Sequence, residues 1–374
     1  MNKKAITILG VIFLLIIGTL GFLVYSKYFN QSSSPSPAPT LNPVPTAAIP
    51  VATTSGQSAL VKLSGEPVVS PTLFFNGQGV TYFTPSGDLE QADLAISGSA
   101  LSLSNKRSLD IKNPGNFTKI IWPPGGDNFT VESDGATSTS WTYFNSTAGD
   151  YTPLPSQIES FDYFPGGTKI MYVWLQNNKA TLNVSDPDSK NWKYLADMWE
   201  TDDSIHISPD GTTVLYYETQ NASSTNPIYS VTADGKVWKT LVSDGDNVGV
   251  LWSPDSQKFL FGKKDPSGLA YQLWVYDIMT GTEKNVGFET TPDKAVWSQD
   301  STAIYVAVPN TITSPGSLTQ DGIYKVTIAT LAQQQYKNIT QVIDAQNLFL
   351  TQDGNNVLFK NAQDGFLYYL NLEQ

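Results

Sequence analysis

Ile207–Tyr217, with the sequence ISPDGTTVLYY, contains the pattern that decides the fold. A Ser-Pro-Asp-Gly turn precedes an apolar run: proline presets φ at the bend, while Asp and Gly tolerate the tight turn. The segment therefore predicts two antiparallel strands joined by a short turn. Six related segments precede apolar runs elsewhere in the chain: FNGQG (75–79), WPPGG (122–126), YFPGG (163–167), WSPDS (252–256), WSQDS (297–301) and LTQDG (350–354).

The spacing of these turns identifies a repeat. Their last residues lie at positions 79, 126, 167, 211, 256, 301 and 354, so the spacings are 47, 41, 44, 45, 45 and 53. A period near 45 that carries short strands and turns is typical of a β-propeller blade. We predict an all-β fold over 58–374, a β-propeller with seven four-stranded blades. Six regular blades after an irregular first region are the alternative.

Closure of the ring is predicted from the two ends of this region. The last repeat shows three strands, at 347–351, 356–361 and 366–371, and lacks a fourth. A propeller must close its ring, because an open sheet edge invites aggregation. Residues 58–63 (SALVKL) precede the first repeat. We predict that they supply the outer strand of the last blade.

The Ser-Pro-Asp-Gly repeats resemble those of the TolB-type, WD-like β-propellers over roughly residues 68–374. The resemblance is best in the repeats around 208, 253 and 298 and poor in the first two. It implies a propeller and usually a protein-interaction role. It implies no specific activity, because one fold serves many functions.

The N-terminus has the pattern of a membrane anchor. Residues 1–4 are short and basic, and 5–25 contain no charge (AITILGVIFLLIIGTLGFLVY). At about 1.5 Å per residue, this run spans a hydrocarbon core of roughly 30 Å, and it ends without a small-x-small cleavage site. We predict a single-pass transmembrane signal-anchor helix at 5–25, with 1–4 cytoplasmic and the propeller extracytoplasmic. The Pro/Ser/Thr-rich residues 26–57 are predicted to be an extended linker.

Composition removes several classes of function. The net charge is −12, and Arg107 is the one arginine, so a nucleic-acid partner is not expected. The chain has no cysteine, which excludes disulfides, thiolate chemistry and Cys-ligated metal centres. The one histidine, His206, falls on the predicted innermost strand of its blade. We interpret it as a packed residue without catalytic or metal-binding function.

Acidic residues recur at both ends of the predicted blades. Asp210, Asp255, Asp300 and Asp353 lie in the repeat turn, which favours Asp for its geometry. The opposite face, here called the loop face, is formed by the loops between blades and the loops joining second and third strands. Its candidate binding residues are Trp199, Glu200, Asp202, Asp203, Asp244, Asp246, Glu289, Asp293 and Asp344, with one lysine, Lys294, among them. The long loop 308–322 is predicted to project from the same face.

These acids predict a protein-binding or scaffolding function. Like charges gathered at one mouth attract cations, so the expected partner is a basic protein or peptide. We assign no catalytic residue, metal ligand or cofactor, although oxygen donors would suit Ca²⁺. The alternative is a propeller hydrolase or lyase that uses channel carboxylates, with or without a divalent cation, on a carbohydrate or a lactone. A purely structural surface protein without a ligand is the third hypothesis.

Overall fold

A computed structural model describes residues 60–373 of the chain. The exceptions within this range are 75–76, 98–99, 112–116, 118, 125–127, 135–138, 199–202, 219–225, 266–269, 311–317, 337–338 and 340. All described residues belong to the second of the two units into which the chain divides, Ile49–Gln374. The predicted segments 1–4, 5–25 and 26–57 lie outside the described residues. No helix in the described part of the chain has the length and hydropathy of a membrane span.

The fold is a seven-bladed β-propeller of four-stranded antiparallel sheets, as predicted from the repeat. Blade 1 contains β2 (Val69–Phe74), β3 (Gly79–Phe83), β4 (Leu89–Ser97) and β5 (Ala100–Leu109). Blade 2 contains β6 (Lys119–Ile121), β7 (Phe129–Asp134), β8 (Thr139–Asn145) and β9 (Asp150–Pro153). Blade 3 contains β10 (Ile158–Tyr163), β11 (Ile170–Gln176), β12 (Lys179–Ser185) and β13 (Lys193–Asp197).

The remaining blades follow the same order. Blade 4 contains β14 (Asp203–Ile207), β15 (Thr213–Glu218), β16 (Ile228–Thr232) and β17 (Trp238–Val242). Blade 5 contains β18 (Asp246–Trp252), β19 (Lys258–Lys264), β20 (Tyr271–Asp277) and β21 (Thr282–Glu289). After a 3-10 turn at Pro292–Lys294, blade 6 contains β22 (Ala295–Trp297), β23 (Ala303–Pro309), β24 (Asp321–Thr327) and β25 (Ala332–Gln335). Blade 7 contains β26 (Ala345–Leu350), β27 (Asn356–Asn361), β28 (Phe366–Asn371) and the N-terminal strand β1 (Leu60–Pro67).

Strand β1 closes the ring from the other end of the chain. It runs antiparallel to β28, with Leu60 opposite Leu370 and Lys62 opposite Tyr368. The sequence predicts this outer strand at 58–63, whereas the strand in the structure ends at Pro67. The Lys62 ammonium lies 3.0 Å from the Asp364 carboxylate and 3.6 Å from the centre of the Phe366 ring. Blade 7 therefore has a protected outer edge made from both ends of the propeller.

Neighbouring blades pack face to face through their apolar side chains. One core cluster joins Met171, Val173 and Leu182 of blade 3 to Ile205 and Val214 of blade 4. Burying one such side chain contributes about 1.5–3 kcal/mol. The first strands of neighbouring blades also contact each other, as β10 and β14 do, so the first strand of each blade is the innermost.

In three blades, the recurring tryptophan of the repeat links its blade to the preceding one. The indole nitrogen of Trp297 donates to the carbonyl oxygen of Leu251 at 3.1 Å, and that of Trp252 donates to the carbonyl oxygen of His206 at 3.1 Å. Trp122 makes the same kind of bond to Ser70 at 2.9 Å. These tryptophans are therefore structural, which agrees with their shared position in the repeat.

The repeat turn is held by its own aspartate. In the turn 298–302, the Ser298 hydroxyl donates to the Asp300 carboxylate at 2.6 Å, and the backbone nitrogen of Thr302 donates to it at 3.1 Å. The bond from Ser298 lowers the pKa of Asp300. The serine that ends one turn also accepts a bond from the preceding blade: the backbone nitrogen of Asp255 lies 3.0 Å from the Ser301 hydroxyl. The turn acids thus serve turn geometry, as interpreted from the sequence.

Candidate functional site: the loop face

The structure describes part of the predicted binding set on the loop face. Trp199, Glu200 and Asp202 lie outside the described residues, and for Asp203 only the backbone, the first residue of β14, is described. Strand β23 ends at Pro309 and β24 begins at Asp321, so the long loop joins the second and third strands of blade 6. The two ends of this connection lie on the loop face, and 311–317 lie outside the described residues.

Two of the predicted acids are paired with lysines of blade 5. The Lys263 ammonium lies 2.8 Å from the Asp244 carboxylate and 2.7 Å from the Glu283 carboxylate. The same ammonium lies 4.5 Å from the centre of the Trp274 ring, a cation–π contact. Lys264 pairs with the buried Asp246 at 3.3 Å. The local charge around these acids is therefore largely neutralised.

A third predicted acid belongs to a buried cluster between blades 6 and 7. The Lys294 ammonium lies 2.7 Å from the Asp321 carboxylate and 2.7 Å from the Asp344 carboxylate. The side chains of Asp321 and Asp344 are only 0% and 4% exposed. Thr319 completes the cluster: its hydroxyl donates to Asp321 at 2.7 Å and its backbone nitrogen to Asp344 at 3.1 Å.

This cluster, here called the lysine clamp (Lys294, Thr319, Asp321 and Asp344), fixes three parts of the chain. Lys294 belongs to the turn before β22, while Asp321 begins β24 and Asp344 precedes β26. The Asp321 carboxylate also accepts a bond from the backbone nitrogen of Ala345 at 2.8 Å. Each charge in the clamp is satisfied, so it holds the sixth and seventh blades together at the loop face.

The last two predicted acids remain at the surface. Glu289 is the final residue of β21, and Asp293 lies in the 3-10 turn that follows. Both are exposed, and neither forms an ion pair with another described residue. Their charges therefore face the solvent beside the ion-paired clamp.

Sequence reasoning missed the partners Lys263, Lys264 and Asp321. The two lysines end the second strand of blade 5, and Asp321 begins the third strand of blade 6. The strand order of a blade places both positions on the loop face, so their location could have been predicted. Their ion pairs could not be predicted, because these depend on how the long side chains are oriented in the folded blade.

A second polar group lies on the inner strands of blades 3 and 4. The Asp162 carboxylate accepts bonds from the backbone nitrogens of Ile207 at 2.7 Å and Tyr163 at 2.8 Å. Burial raises the pKa of Asp162 to about 6, although these two bonds oppose the shift. Asp162 thus links the inner strands of two blades through the backbone.

His206 lies beside this link and stacks on Tyr217, with ring centres 5.7 Å apart. Its Nε2 is 3.2 Å from the Ser204 hydroxyl and 3.3 Å from the Tyr217 hydroxyl. Burial lowers the pKa of His206 to about 4, and the nearby Lys119 contributes a smaller repulsion. The imidazole is therefore neutral at physiological pH.

Within the described residues, no group of three or more acidic or histidine side chains is placed to hold a metal ion.

Solved structures share the propeller fold. An oligogalacturonate lyase in complex with manganese matches with a TM-score of 0.59 at 12% identity, covering 85% of this chain and 94% of that one. The oligogalacturonate lyase of Vibrio parahaemolyticus matches with a TM-score of 0.57 at 10% identity, with the same two coverages of 85% and 94%. TolB from Acinetobacter baumannii matches with a TM-score of 0.44 at 15% identity, covering 79% of each chain.

At these identities, the likeness to the two lyases shows the fold alone. No protein-family model matches the chain, and no curated protein matches it.

Proposed function

We propose that the chain is a binding protein that docks a basic protein or peptide on its loop face. The observation that carries this proposal is the contrast between buried and exposed acids at that face. Lys294 pairs with the buried Asp321 and Asp344, whereas Glu289 and Asp293 stay exposed. A rigid, ion-paired base with further negative charge exposed on its surface steers a basic partner and limits the entropy lost when it binds.

The proposed setting is the outer face of a membrane. The uncharged run 5–25 would anchor the chain with residues 1–4 in the cytoplasm, and 26–57 would hold the propeller away from the bilayer. In this setting, the propeller is a scaffold that gathers an extracytoplasmic partner at the membrane surface. The acids at 200, 202 and 203, which come just before or at the start of the first strand of blade 4 in the sequence, are kept as candidate binding residues in this proposal.

The test is capture of a partner from the native cell envelope by the full chain and by a charge-reversed chain. The reversed chain carries Glu289→Lys and Asp293→Lys. Both residues are exposed, so the substitutions leave the packed core untouched. We expect the wild-type chain to retain a basic protein that the reversed chain releases.

The matched control reverses two exposed acids on the opposite face, Asp150→Lys and Glu373→Lys. Asp150 begins the fourth strand of blade 2, and Glu373 follows the third strand of blade 7, so both lie away from the loop face. Capture that is lost equally with both reversed chains would contradict a specific loop-face site. Capture that survives both would contradict it as well.

A further inference from the structure

A groove of about 560 Å³ lies on the face of blade 3 that looks toward blade 2, far from the clamp in sequence. This volume is within the range of about 300–1,000 Å³ for small-ligand sites. Four aromatic side chains line it: Tyr172, Trp174, Trp192 and Tyr194. Polar side chains share the lining, among them Asn183 and Ser189. We call this the blade-3 groove.

Strand register explains why these side chains share one face. Tyr172 of β11 is opposite Phe161 of β10 and Asn183 of β12, and Asn183 is opposite Tyr194 of β13. The inner members of this row, Phe161 and Tyr172, pack in a core cluster with Trp141 and Leu154 of blade 2. The outer member, Tyr194, does not belong to that core.

The outer half of the row stays open to solvent. Strand β9, the outer strand of blade 2, has only four residues, Asp150–Pro153. The aromatic side chains nearest the rim are accordingly exposed, Trp192 at 66% and Tyr194 at 48%. Contiguous exposed aromatic surface beside a cavity is typical of ligand-binding grooves.

The loop that carries Trp192 is held in one conformation. Ser189 and Asn191 adopt left-handed backbone angles, with φ of 64° and 52°. The Asn191 amide donates to the Asp186 carboxylate at 2.6 Å, and the backbone nitrogen of Ser189 donates to the Asp186 carbonyl at 2.9 Å. Lys169 pairs with the same carboxylate at 2.5 Å. Trp192 is thus presented on a tight turn, and binding a ligand there orders little additional chain.

Two polar groups in the groove have unused hydrogen-bonding capacity among the described residues. The Ser189 hydroxyl is buried and has no hydrogen-bond partner there. Asn183 is only 3% exposed, and its amide nitrogen donates to the Thr181 carbonyl at 3.0 Å and the Thr181 hydroxyl at 2.9 Å. Those two bonds use its donors and leave the side-chain oxygen to accept from a ligand.

The ionised groups at the rim cancel each other. Lys179 lies 3.1 Å from the Asp197 carboxylate, and the Tyr194 hydroxyl donates to the same carboxylate at 3.0 Å. The groove therefore offers aromatic faces and neutral hydrogen-bonding groups without a net charge. A charged ligand would gain no counter-ion there.

The position of Trp174 in blade 3 can be compared with the equivalent position of the repeat in blade 5. Trp174 lies seven residues after the turn residue Gly167, and Lys263 lies seven residues after the turn residue Ser256 of blade 5. In blade 5, that lysine lies over Trp274 and bridges Asp244 to Glu283. The corresponding position in blade 3 carries an aromatic ring and leads into a cavity.

We propose that the blade-3 groove binds a neutral carbohydrate, with one pyranose ring stacked on Trp192 and Tyr194 and its hydroxyls bonded to Asn183 and Ser189. A pyranose presents an apolar C–H face to an aromatic ring, and its hydroxyls both donate and accept. A proline-rich peptide also fits aromatic grooves, but proline has no N–H to give to the Asn183 oxygen. The sugar therefore satisfies both kinds of group in the groove.

The experiment screens the full chain, in a detergent without a sugar headgroup, against an array of neutral hexose and N-acetylhexosamine oligosaccharides. The best oligosaccharide is then titrated by calorimetry, a readout that does not depend on the indole of Trp192. We expect saturable binding that Trp192→Ala weakens about tenfold or more, as loss of a stacking platform does. Trp192→Phe keeps a ring and should retain most of the binding.

Met279→Ala is the matched control, because Met279 is 80% exposed on blade 5 and should leave binding unchanged. Absence of saturable binding to any glycan on the array would overturn the proposal. Equal binding by wild type and Trp192→Ala would do the same. A peptide of residues 34–45 (SPSPAPTLNPVP) is titrated in parallel. If this peptide binds and the oligosaccharides do not, the groove is a peptide site and the sugar assignment is wrong.

Discussion

His206 shows at the scale of one residue how burial couples the fold to pH. Its pKa is lowered from 6.5 to about 4, mainly because the buried imidazolium would lose its hydration. The contribution of this group to stability is therefore complete above about pH 6.5 and is lost as the pH falls toward 4. The full loss is about 3 kcal/mol. We expect His206→Phe to gain stability relative to wild type over this window, measured by urea unfolding at several pH values.

Asp162 supplies the control for that comparison. Burial raises its pKa to about 6, so its contribution is present at low pH and is lost as the pH rises from about 3.8 through 6. The two groups change the free energy of unfolding in opposite directions as the pH rises. The pH profile of the wild-type protein alone therefore does not separate their contributions. Asp162→Asn should change the profile in the direction opposite to His206→Phe. Parallel profiles for wild type and His206→Phe would contradict the assignment of a neutral buried histidine.

At the scale of structural elements, the lysine clamp holds β22, β24 and β26 at one point. Lys294→Met removes the ammonium that Asp321 and Asp344 share, and the side chains of these two residues are 0% and 4% exposed. Breaking a buried ion pair on one side costs about 3–5 kcal/mol, because an uncompensated charge remains. We expect a loss of that size in the free energy of unfolding, measured with urea.

The matched variant for the clamp combines Lys294→Met with Asp321→Asn and Asp344→Asn. It leaves no buried charge unpaired, so most of the lost stability should return. A loss below about 1 kcal/mol for Lys294→Met alone would show that the three charges are solvated. The clamp would then contribute little to the packing of blade 6 on blade 7.

Strands and turns could be predicted from the sequence because each repeat carries its own local signal. The turn 298–302 depends on contacts within five residues, and Trp297 occupies the same position as Trp252. The clamp could not be predicted in full. Lys294 and Asp344 were candidate residues, but their contact joins positions 50 apart through side chains that meet only in the folded ring.

The blade-3 groove was not predicted at all. Its opening follows from the shortness of β9, a boundary that no turn motif marks in the sequence. In the sequence, Trp192 and Tyr194 look like ordinary strand residues. Only the folded blade, in which Tyr194 is opposite Asn183, shows that both side chains remain exposed. A site of this kind forms because a neighbouring strand is short and leaves side chains exposed. Sequence motifs do not reveal it.

At the scale of the whole molecule, stability depends on closing the ring through β1. Deleting 60–67 would leave β28 with an unpaired edge at Leu370 and Tyr368. We expect a lower unfolding temperature and concentration-dependent association, because open edges pair with other chains. Deletion of the eight residues 34–41 is the matched control. A monodisperse protein with an unchanged unfolding temperature after loss of 60–67 would contradict the closure mechanism.

We propose above that the loop face docks a basic partner. The most direct test is to measure the affinity of the full chain for an oligolysine peptide. Calorimetry at low salt and at about 0.3 M salt would compare wild type, the Glu289→Lys/Asp293→Lys variant and the Asp150→Lys/Glu373→Lys control. We expect salt-sensitive binding to wild type and control, weakened at least about tenfold in the loop-face variant. Equal affinity for all three proteins would contradict it.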